Sequence, residues 1–296
     1  MAKHSFKDYL IAVRSWSFPA SAMPVLVGSC YALWTSPTFS WLNAVWALVA
    51  IIVFHAAGNA WSDYFDYKTG VDTPETHGSI SITSGMFTSK EIIRLSIVLL
   101  CVASLLGIGL LWRCGMPLLW IGLGGLACAL LYPFCKYRAL GDTVIFIAYG
   151  LLPLLGTVYA TTGVWNYNVL WLALPVGLIT VAILHVNNLR DIRSDRDAHI
   201  WTVSMLFGER VSVWVYCLEI LAPFIAIVVF AVLGILPLWS LLCLLALPKA
   251  LGNCKQAWPT LKGQREGLAR LDEGTAQLQA MTSVLLSCSL VVAHFV

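Results

Sequence analysis

Gly58-Asn59-Ala60-Trp61-Ser62-Asp63-Tyr64-Phe65-Asp66-Tyr67-Lys68-Thr69-Gly70-Val71-Asp72 closes a long apolar run with three carboxylates and an amide. On a helix Asn59, Asp63 and Asp66 stand at i, i+4 and i+7, so their side chains share one face, and Asp72 follows in a Gly-containing loop. A second stretch, Asn187-Asn188-Leu189-Arg190-Asp191-Ile192-Arg193-Ser194-Asp195, repeats the plan with Asn187, Asp191 and Asp195 at i, i+4 and i+8. It too ends a long apolar run.

The chain around these stretches is 59% hydrophobic and 11% charged over 296 residues, with a mean hydropathy of +0.81. That is far more apolar than the roughly half-apolar, quarter-charged soluble average, and it reads as an all-α, polytopic membrane protein. The 13 Trp suit membrane interfaces, although they serve helix packing equally well. A net charge of +3 supplies no basic face for nucleic acid. The nine cysteines form no C-x-x-C pair and read as small, reduced packing residues. The first residues lack a signal-peptide core and cleavage site, so the first span is expected to remain in the mature protein.

Apolar stretches long enough to cross a bilayer fall near 17–35, 41–61, 95–113, 116–133, 142–162, 168–188, 211–233, 236–252 and 279–296. About nine transmembrane helices are thus expected, the 236–252 stretch being short and carrying Pro248 and Lys249. All Lys and Arg except Arg113 fall on one side, which by the positive-inside rule is the cytoplasm. Both Asp clusters face it, on the long 62–93 and 189–210 loops, and loops of that size in a compact membrane domain are usually functional. Spans two and six each end in a cluster, suggesting two four-helix halves plus a ninth helix within one integral-membrane domain, 1–296. Glycines inside the spans (Gly107, Gly109, Gly122, Gly124, Gly125, Gly150, Gly156) are read as sites of close helix contact. The 253–278 segment reads as a cytoplasmic loop with some helix and no function.

Asp63, Asp66, Asp72, Asp191, Asp195 and Asp197 occupy two short stretches that only the fold can bring together. Facing carboxylates repel unless a cation lies between them. Mg²⁺ prefers a few carboxylates with waters and phosphate oxygens, so two acidic helix ends across a cavity make a suitable diphosphate clamp. Lys68, Lys136, Arg138, Arg190 and Arg193 suit phosphate neutralisation as well as they suit cytoplasmic topology.

Asn59-x-x-x-Asp63-x-x-Asp66-x-x-x-x-x-Asp72, paired with Asn188-Leu189-Arg190-Asp191-Ile192-x-x-Asp195, resembles the UbiA superfamily of intramembrane prenyltransferases. Ser62 to Asp72 and Asn187 to Ile192 are most similar to the branch that prenylates 1,4-dihydroxy-2-naphthoate in menaquinone synthesis. Arg14-Ser15-Trp16-Ser17-Phe18-Pro19-Ala20, Ser84-Gly85 and Tyr137-Arg138-Ala139-Leu140-Gly141-Asp142 agree with it as well. The resemblance implies a UbiA-like bundle and two Mg²⁺ ions, held by Asn59, Asp63 and Asp66 on one side and by Asp191 and Asp195 on the other. With Asp63, Asp66, Asp191 and Asp195 as catalytic residues, the ions would bind a polyprenyl diphosphate and promote its ionisation, and an aromatic acceptor would attack the allyl cation. It further implies substrate contacts from Asn59, Asp72, Lys68, Lys136, Arg138, Asn187, Asn188, Arg190 and Arg14, an isoprenoid tail lying toward lipid, and a bacterial inner membrane with the site facing the cytoplasm. No obligate protein partner is evident.

Tyr64, Tyr67, Tyr132 and Tyr149 are candidates to face the cation. His77 stands where many relatives carry a basic residue, and Trp201 stands where they carry a small or basic one. Glu219 is an intramembrane acid, and His185 is either a cavity base or a packed side chain. The acceptor could instead be 4-hydroxybenzoate, another quinone precursor, a chlorophyll-type ring or a lipid. A cation-coupled transporter is the reading from a different class, disfavoured because the acids lie at span ends rather than near mid-membrane.

Overall fold

In a computed structural model, which describes residues 4–73 and 80–296, the chain is helical throughout. Helix α1 (Phe6–Ala12) starts on a capping box in which Ser5 and Asp8 satisfy each other's backbone N–H groups. It breaks at Val13-Arg14 before α2 (Pro19–Thr35), the two helices meeting at 55°. Arg14 sits at that break in the left-handed region (φ 51°). Helix α3 (Trp41–Lys68) is capped by the Ser40 hydroxyl, and a short α4 (Ile80–Thr83) precedes α5 (Ser89–Cys114), which begins on a Thr88/Glu91 capping box. Helix α6 (Pro117–Lys136) starts on proline, whose fixed φ and missing donor suit a first turn.

The fifth apolar stretch is α7 (Gly141–Ile145), a π-helical turn over Phe146–Leu151, and α8 (Leu152–Thr162). After a 3₁₀ turn, α9 (Ala173–Arg190) runs to Asp191, where a short α10 (Ile192–Asp197) turns off. Helix α11 (Val203–Val232) is kinked at Gly208 (φ 77°). Residues 238–246 form a 3₁₀ helix that leads into α12 (Leu247–Ala257), and α13 (Leu271–Phe295) ends the chain. Among the described residues, seven helices are long and apolar enough to cross a membrane, or eight when the bent α1–α2 pair counts as one span. Of the nine expected stretches, 236–252 is the one that no such helix covers: it divides between a 3₁₀ and a short α segment, with Pro248 at the start of the latter.

Helix α3 packs along α5, α9 along α11, and α13 against α2 and α9. One apolar core joins α9, α11, α12 and α13 through Leu189, Val213, Tyr216, Ile220, Ala250 and Leu278; another joins α2, α8, α9, α11 and α13 through Val27, Leu154, Val176, Ile227 and Leu286. The α7–α8 span approaches α9 at Gly150, where a Cβ would lie 3.1 Å from the Gly177 Cα. Gly156 is similarly tight, a Cβ there meeting Ile121 at 2.9 Å. Gly107, Gly122 and Gly125 are otherwise than expected: a Cβ at any of them would meet nothing within 4 Å, and all three line an open cavity. Helices α5 and α6 expose Leu105, Ile108, Trp112 and Trp120, the pattern of a lipid-facing wall.

Candidate active site

A cavity of about 630 Å³ enters the bundle between α2, α3, α5, α6, the α7–α8 span and α9. Its length is walled by Ile51, Phe54, Leu111, Leu126 and Leu152, and at one end it is lined by Asp66, Asp72, Asp191 and Asp195. The fold therefore brings the two acidic clusters to one mouth.

The first cluster is assembled by the end of α3. Gly70, in the left-handed region (φ 78°), lets the chain reverse, the Val71 and Asp72 N–H groups both returning to the Asp66 carbonyl at 2.9 and 3.1 Å. With Gly70 N–H on the Tyr67 carbonyl this is a Schellman close, and it folds Asp72 back over the helix end. Asp63, Asp66 and Asp72 are all buried, and one oxygen of each lies within 4.8 Å of the others. Asp66 accepts from Lys136 Nζ at 2.8 Å, the Tyr137 hydroxyl at 2.7 Å and the Ser62 hydroxyl at 3.2 Å, and Asp63 forms an ion pair with Arg14. Burial, and then the Asp66 charge, raises the Tyr137 phenol, which keeps it a donor.

Asn59 also lines the cavity. Its side-chain NH₂ donates to the Val13 carbonyl at 2.9 Å and to Ser17 Oγ at 3.0 Å, and the Ser17 proton goes to the Arg14 carbonyl at 2.8 Å. Both partners of the amide are thus acceptors, so its NH₂ end faces them and its oxygen is turned away.

The second cluster is not one continuous helical face as its spacing suggested. Helix α9 ends at Arg190 and Asp191 is its cap (φ −97°, ψ 10°), yet Asp191 N–H still reaches the Asn187 carbonyl and Asp195 N–H the Asp191 carbonyl, each at 2.9 Å. Arg190 grips both Asp191 oxygens at 2.9 Å and donates to Asp272 on α13 at 3.0 Å. Arg265 Nη2 donates to the Leu189 and Arg190 carbonyls, both at 2.8 Å, and Nη1 pairs with Glu209. Burial, followed by the neighbouring Asp191 charge, pushes the Asp195 carboxyl up to about 7. Asn187 Oδ1 is buried without a hydrogen-bond partner among the described residues.

Arg14, Lys136, Asn187, Asn188 and Arg190 line the cavity as the sequence suggested. Lys68 and Arg138 do not. Lys68 is two residues past Asp66, hence on another helix face, and its ammonium lies over the Tyr64 ring at 5.7 Å. Arg138 is exposed, held outward where Ala139 N–H and the Tyr137 carbonyl pair with the Trp201 backbone at 2.7 and 3.1 Å. Of the tyrosines, Tyr132 and Tyr149 line the cavity, Tyr64 packs against Ala12, Ala60 and Ile82, and Tyr67 is exposed. His185 is fully buried behind the cavity wall. His77 lies outside the described residues. Sequence reasoning missed Tyr137, Ser62, Arg265 and Asp272; the position of Tyr137 next to Lys136 at a helix end was the one available signal.

A family model described as the UbiA prenyltransferase family matches residues 21–265. UbiA prenyltransferase domain-containing protein 1 of Xenopus tropicalis is 32% identical over 240 residues, spanning 78% of this chain and 68% of that protein. Its Drosophila melanogaster homolog is 34% identical over 253 residues (82% and 69%), and the Homo sapiens protein is 30% identical over 295 residues (97% and 84%). Two solved structures share the fold. The apo UbiA homolog from Aeropyrum pernix K1 superposes with a TM-score of 0.72 at 15% identity, over 93% of this chain and 97% of that one. The homolog from Archaeoglobus fulgidus bound to GPP and Mg²⁺ gives 0.66 at 13% identity, over 98% and 100%.

Proposed function

The chain belongs to the UbiA prenyltransferase family, and from that premise we propose that it transfers a polyprenyl group from polyprenyl diphosphate to 1,4-dihydroxy-2-naphthoate, with loss of CO₂, on the cytoplasmic face of a bacterial inner membrane. One observation carries the reading: two acidic clusters from separate helices share the mouth of a cavity whose remaining wall is mostly apolar. The mouth suits a diphosphate and the wall suits an isoprenoid tail.

The donor set fits Mg²⁺. Asp63, Asp66 and Asp72 offer only carboxylate oxygens in mutual reach, and the Asn187 oxygen, unpartnered among the described residues, adds a neutral one, a hard set without thiolate or imidazole. Asn59, Asp63 and Asp66 would hold one ion and Asp191 and Asp195 a second, and the homolog carrying GPP and Mg²⁺ supports this use of the fold. Bound there, the metal would neutralise the charge that develops on the diphosphate leaving group.

The chain's own groups do the rest. Arg14, Lys136 and Arg190 are counter-ions of Asp63, Asp66 and Asp191, and each lines the cavity, so each is placed to turn its donors to an incoming diphosphate. Tyr132 and Tyr149 line the same cavity, where their rings would stabilise the cation that forms at the allylic carbon. The allylic C–O bond breaks with its electron pair leaving on pyrophosphate, the ring carbon bearing the carboxylate forms the new C–C bond, and the electrons of the departing carboxylate restore aromaticity. No ring proton has to be removed, so the absence of His185 from the cavity is no obstacle.

The test is turnover by detergent-purified protein with Mg²⁺, a polyprenyl diphosphate and 1,4-dihydroxy-2-naphthoate, followed by mass spectrometry, with Asp63→Asn and Asp191→Asn as controls. Demethylmenaquinol, or the quinone that dissolved oxygen makes from it during work-up, formed by the wild type alone supports the whole reading. Pyrophosphate release without that product retains the clamp and rejects the acceptor, directing the search to 4-hydroxybenzoate and lipid acceptors. Neither product nor release rejects prenyl transfer.

A further inference from the structure

Behind the cavity wall, Asp142 on α7, His185 on α9 and Glu219 on α11 meet with one ligand-type atom each inside a 4.8 Å circle. His185 Nδ1 lies 3.1 Å from Asp142 Oδ2 and 3.7 Å from Glu219 Oε1, its side chain fully buried. The Ser204 hydroxyl donates to the His185 carbonyl at 3.3 Å, adding a second tie between α9 and α11. None of the three lines the cavity, so none is placed to touch substrate. Their link to it is Asn188, which is buried, lines the cavity, and donates its Nδ2 to Asp142 Oδ1 at 3.4 Å.

A carboxylate can only accept, so Asp142 decides the orientation of the Asn188 amide: the NH₂ end faces the triad and the oxygen is turned away from it. Asn59 is held in the same manner on α3 by Val13 and Ser17. We propose that Asp142, His185 and Glu219 are positioning residues for the α9 half of the metal clamp, holding Asn188 so that its oxygen is presented to the cation. The proposal rests on the diphosphate-clamp reading above. Polar groups inside an apolar bundle are strongly held to their partners, because the alternative is an unsatisfied group away from water. The triad brings hydrogen bonds from Asp142 on α7 and a longer 3.7 Å contact from Glu219 on α11 onto the one turn of α9 that carries Asn188 and precedes Asp191. Outer partners of this kind set metal affinity rather than perform chemistry.

The experiment titrates Mg²⁺ at fixed inorganic pyrophosphate against the detergent-solubilised full chain and reads the thermal-melting shift, so no turnover is needed. His185→Gln and Glu219→Gln should each raise the Mg²⁺ concentration for half-maximal stabilisation about 10-fold, each variant being read against its own pyrophosphate-free melting point. In an Asn188→Ala background the same substitutions should add nothing, because the effect passes through Asn188. If His185→Gln does not accumulate as folded protein, Glu219→Gln carries the measurement. Additive effects in the double variants, an unchanged Mg²⁺ midpoint, or stoichiometric metal bound at the triad itself would each overturn the proposal. A wild type that shows no Mg²⁺-dependent shift at all rejects the clamp reading instead.

Discussion

The side-chain amide of Asn59, on α3, donates to the Val13 carbonyl across 2.9 Å, at the break between α1 and α2. The next residue, Arg14, holds a left-handed backbone conformation and carries the guanidinium that pairs with Asp63. Asn59 therefore both faces the cavity and steadies the turn that supplies a counter-ion to its own cluster. Asn59→Ala should cost about 1 kcal/mol for each of its two hydrogen bonds. Asn59→Asp should unfold earlier still at neutral pH, because a carboxylate would confront the Val13 carbonyl, although Asp is the stronger cation ligand. Both should lose most pyrophosphate release. Thermal unfolding in detergent checks the order, and an Asn59→Asp protein as stable as the wild type would contradict it.

Asp195 makes stability depend on pH. Its carboxyl stands near 7 in the folded protein and at 3.8 when unperturbed, so the folded state keeps a proton that the unfolded chain loses first. The stabilising contribution is complete below about pH 4 and is lost as pH rises through 7, with no further change above. In a chelator, melting temperature should fall across that window, and Asp195→Asn should flatten the fall. A wild-type profile that rises between pH 5 and 7 and is unaffected by the substitution would count against this assignment.

The apolar runs made the helical membrane fold legible because bilayer length and hydropathy act on each span locally. The i, i+4, i+7 spacing of Asn59, Asp63 and Asp66 was legible for the same reason. What a neighbour supplies was not. Lys68 stands beside the first acidic motif and Lys136 lies 70 residues from Asp66, yet of the two it is Lys136 that reaches Asp66, because α6 ends against α3 there. Arg265 and Asp272 sit in a stretch that looks featureless until the fold sets them against the end of α9. The glycines split by surroundings, Gly150 meeting Gly177 and Gly122 meeting open space, which no spacing rule distinguishes.

Arg265 tests how far the second cluster depends on that stretch. Its guanidinium takes the Leu189 and Arg190 carbonyls, two of the orphan acceptors at the C-terminal end of α9, and its positive charge suits the negative end of the helix. Arg265→Ala should destabilise by about 1–3 kcal/mol, the range for leaving such acceptors without partners. Pyrophosphate release should fall with it, since Asp191 caps the same turn. Arg265→Lys should recover only part of both, because one ammonium lacks the planar fork that serves two carbonyls and Glu209 together. Full recovery by lysine would show that charge alone is at work.

Gly122 and Gly107 line the cavity with open space where a side chain would stand, so the length of isoprenoid that the cavity accepts should respond to bulk there. Gly122→Leu should leave the fold intact and shift turnover toward shorter prenyl diphosphates. Each five-carbon unit displaced from the cavity forfeits burial of roughly 4 kcal/mol, at about 0.8 kcal/mol per carbon. Gly150→Leu is the contrast: Gly150 does not line the cavity and a Cβ there would lie 3.1 Å from the Gly177 Cα, so it should lower the melting temperature without changing chain-length preference. Competition between a short and a long prenyl diphosphate, read by mass spectrometry of the products, separates the two outcomes. An unchanged product ratio in Gly122→Leu would place the isoprenoid tail elsewhere.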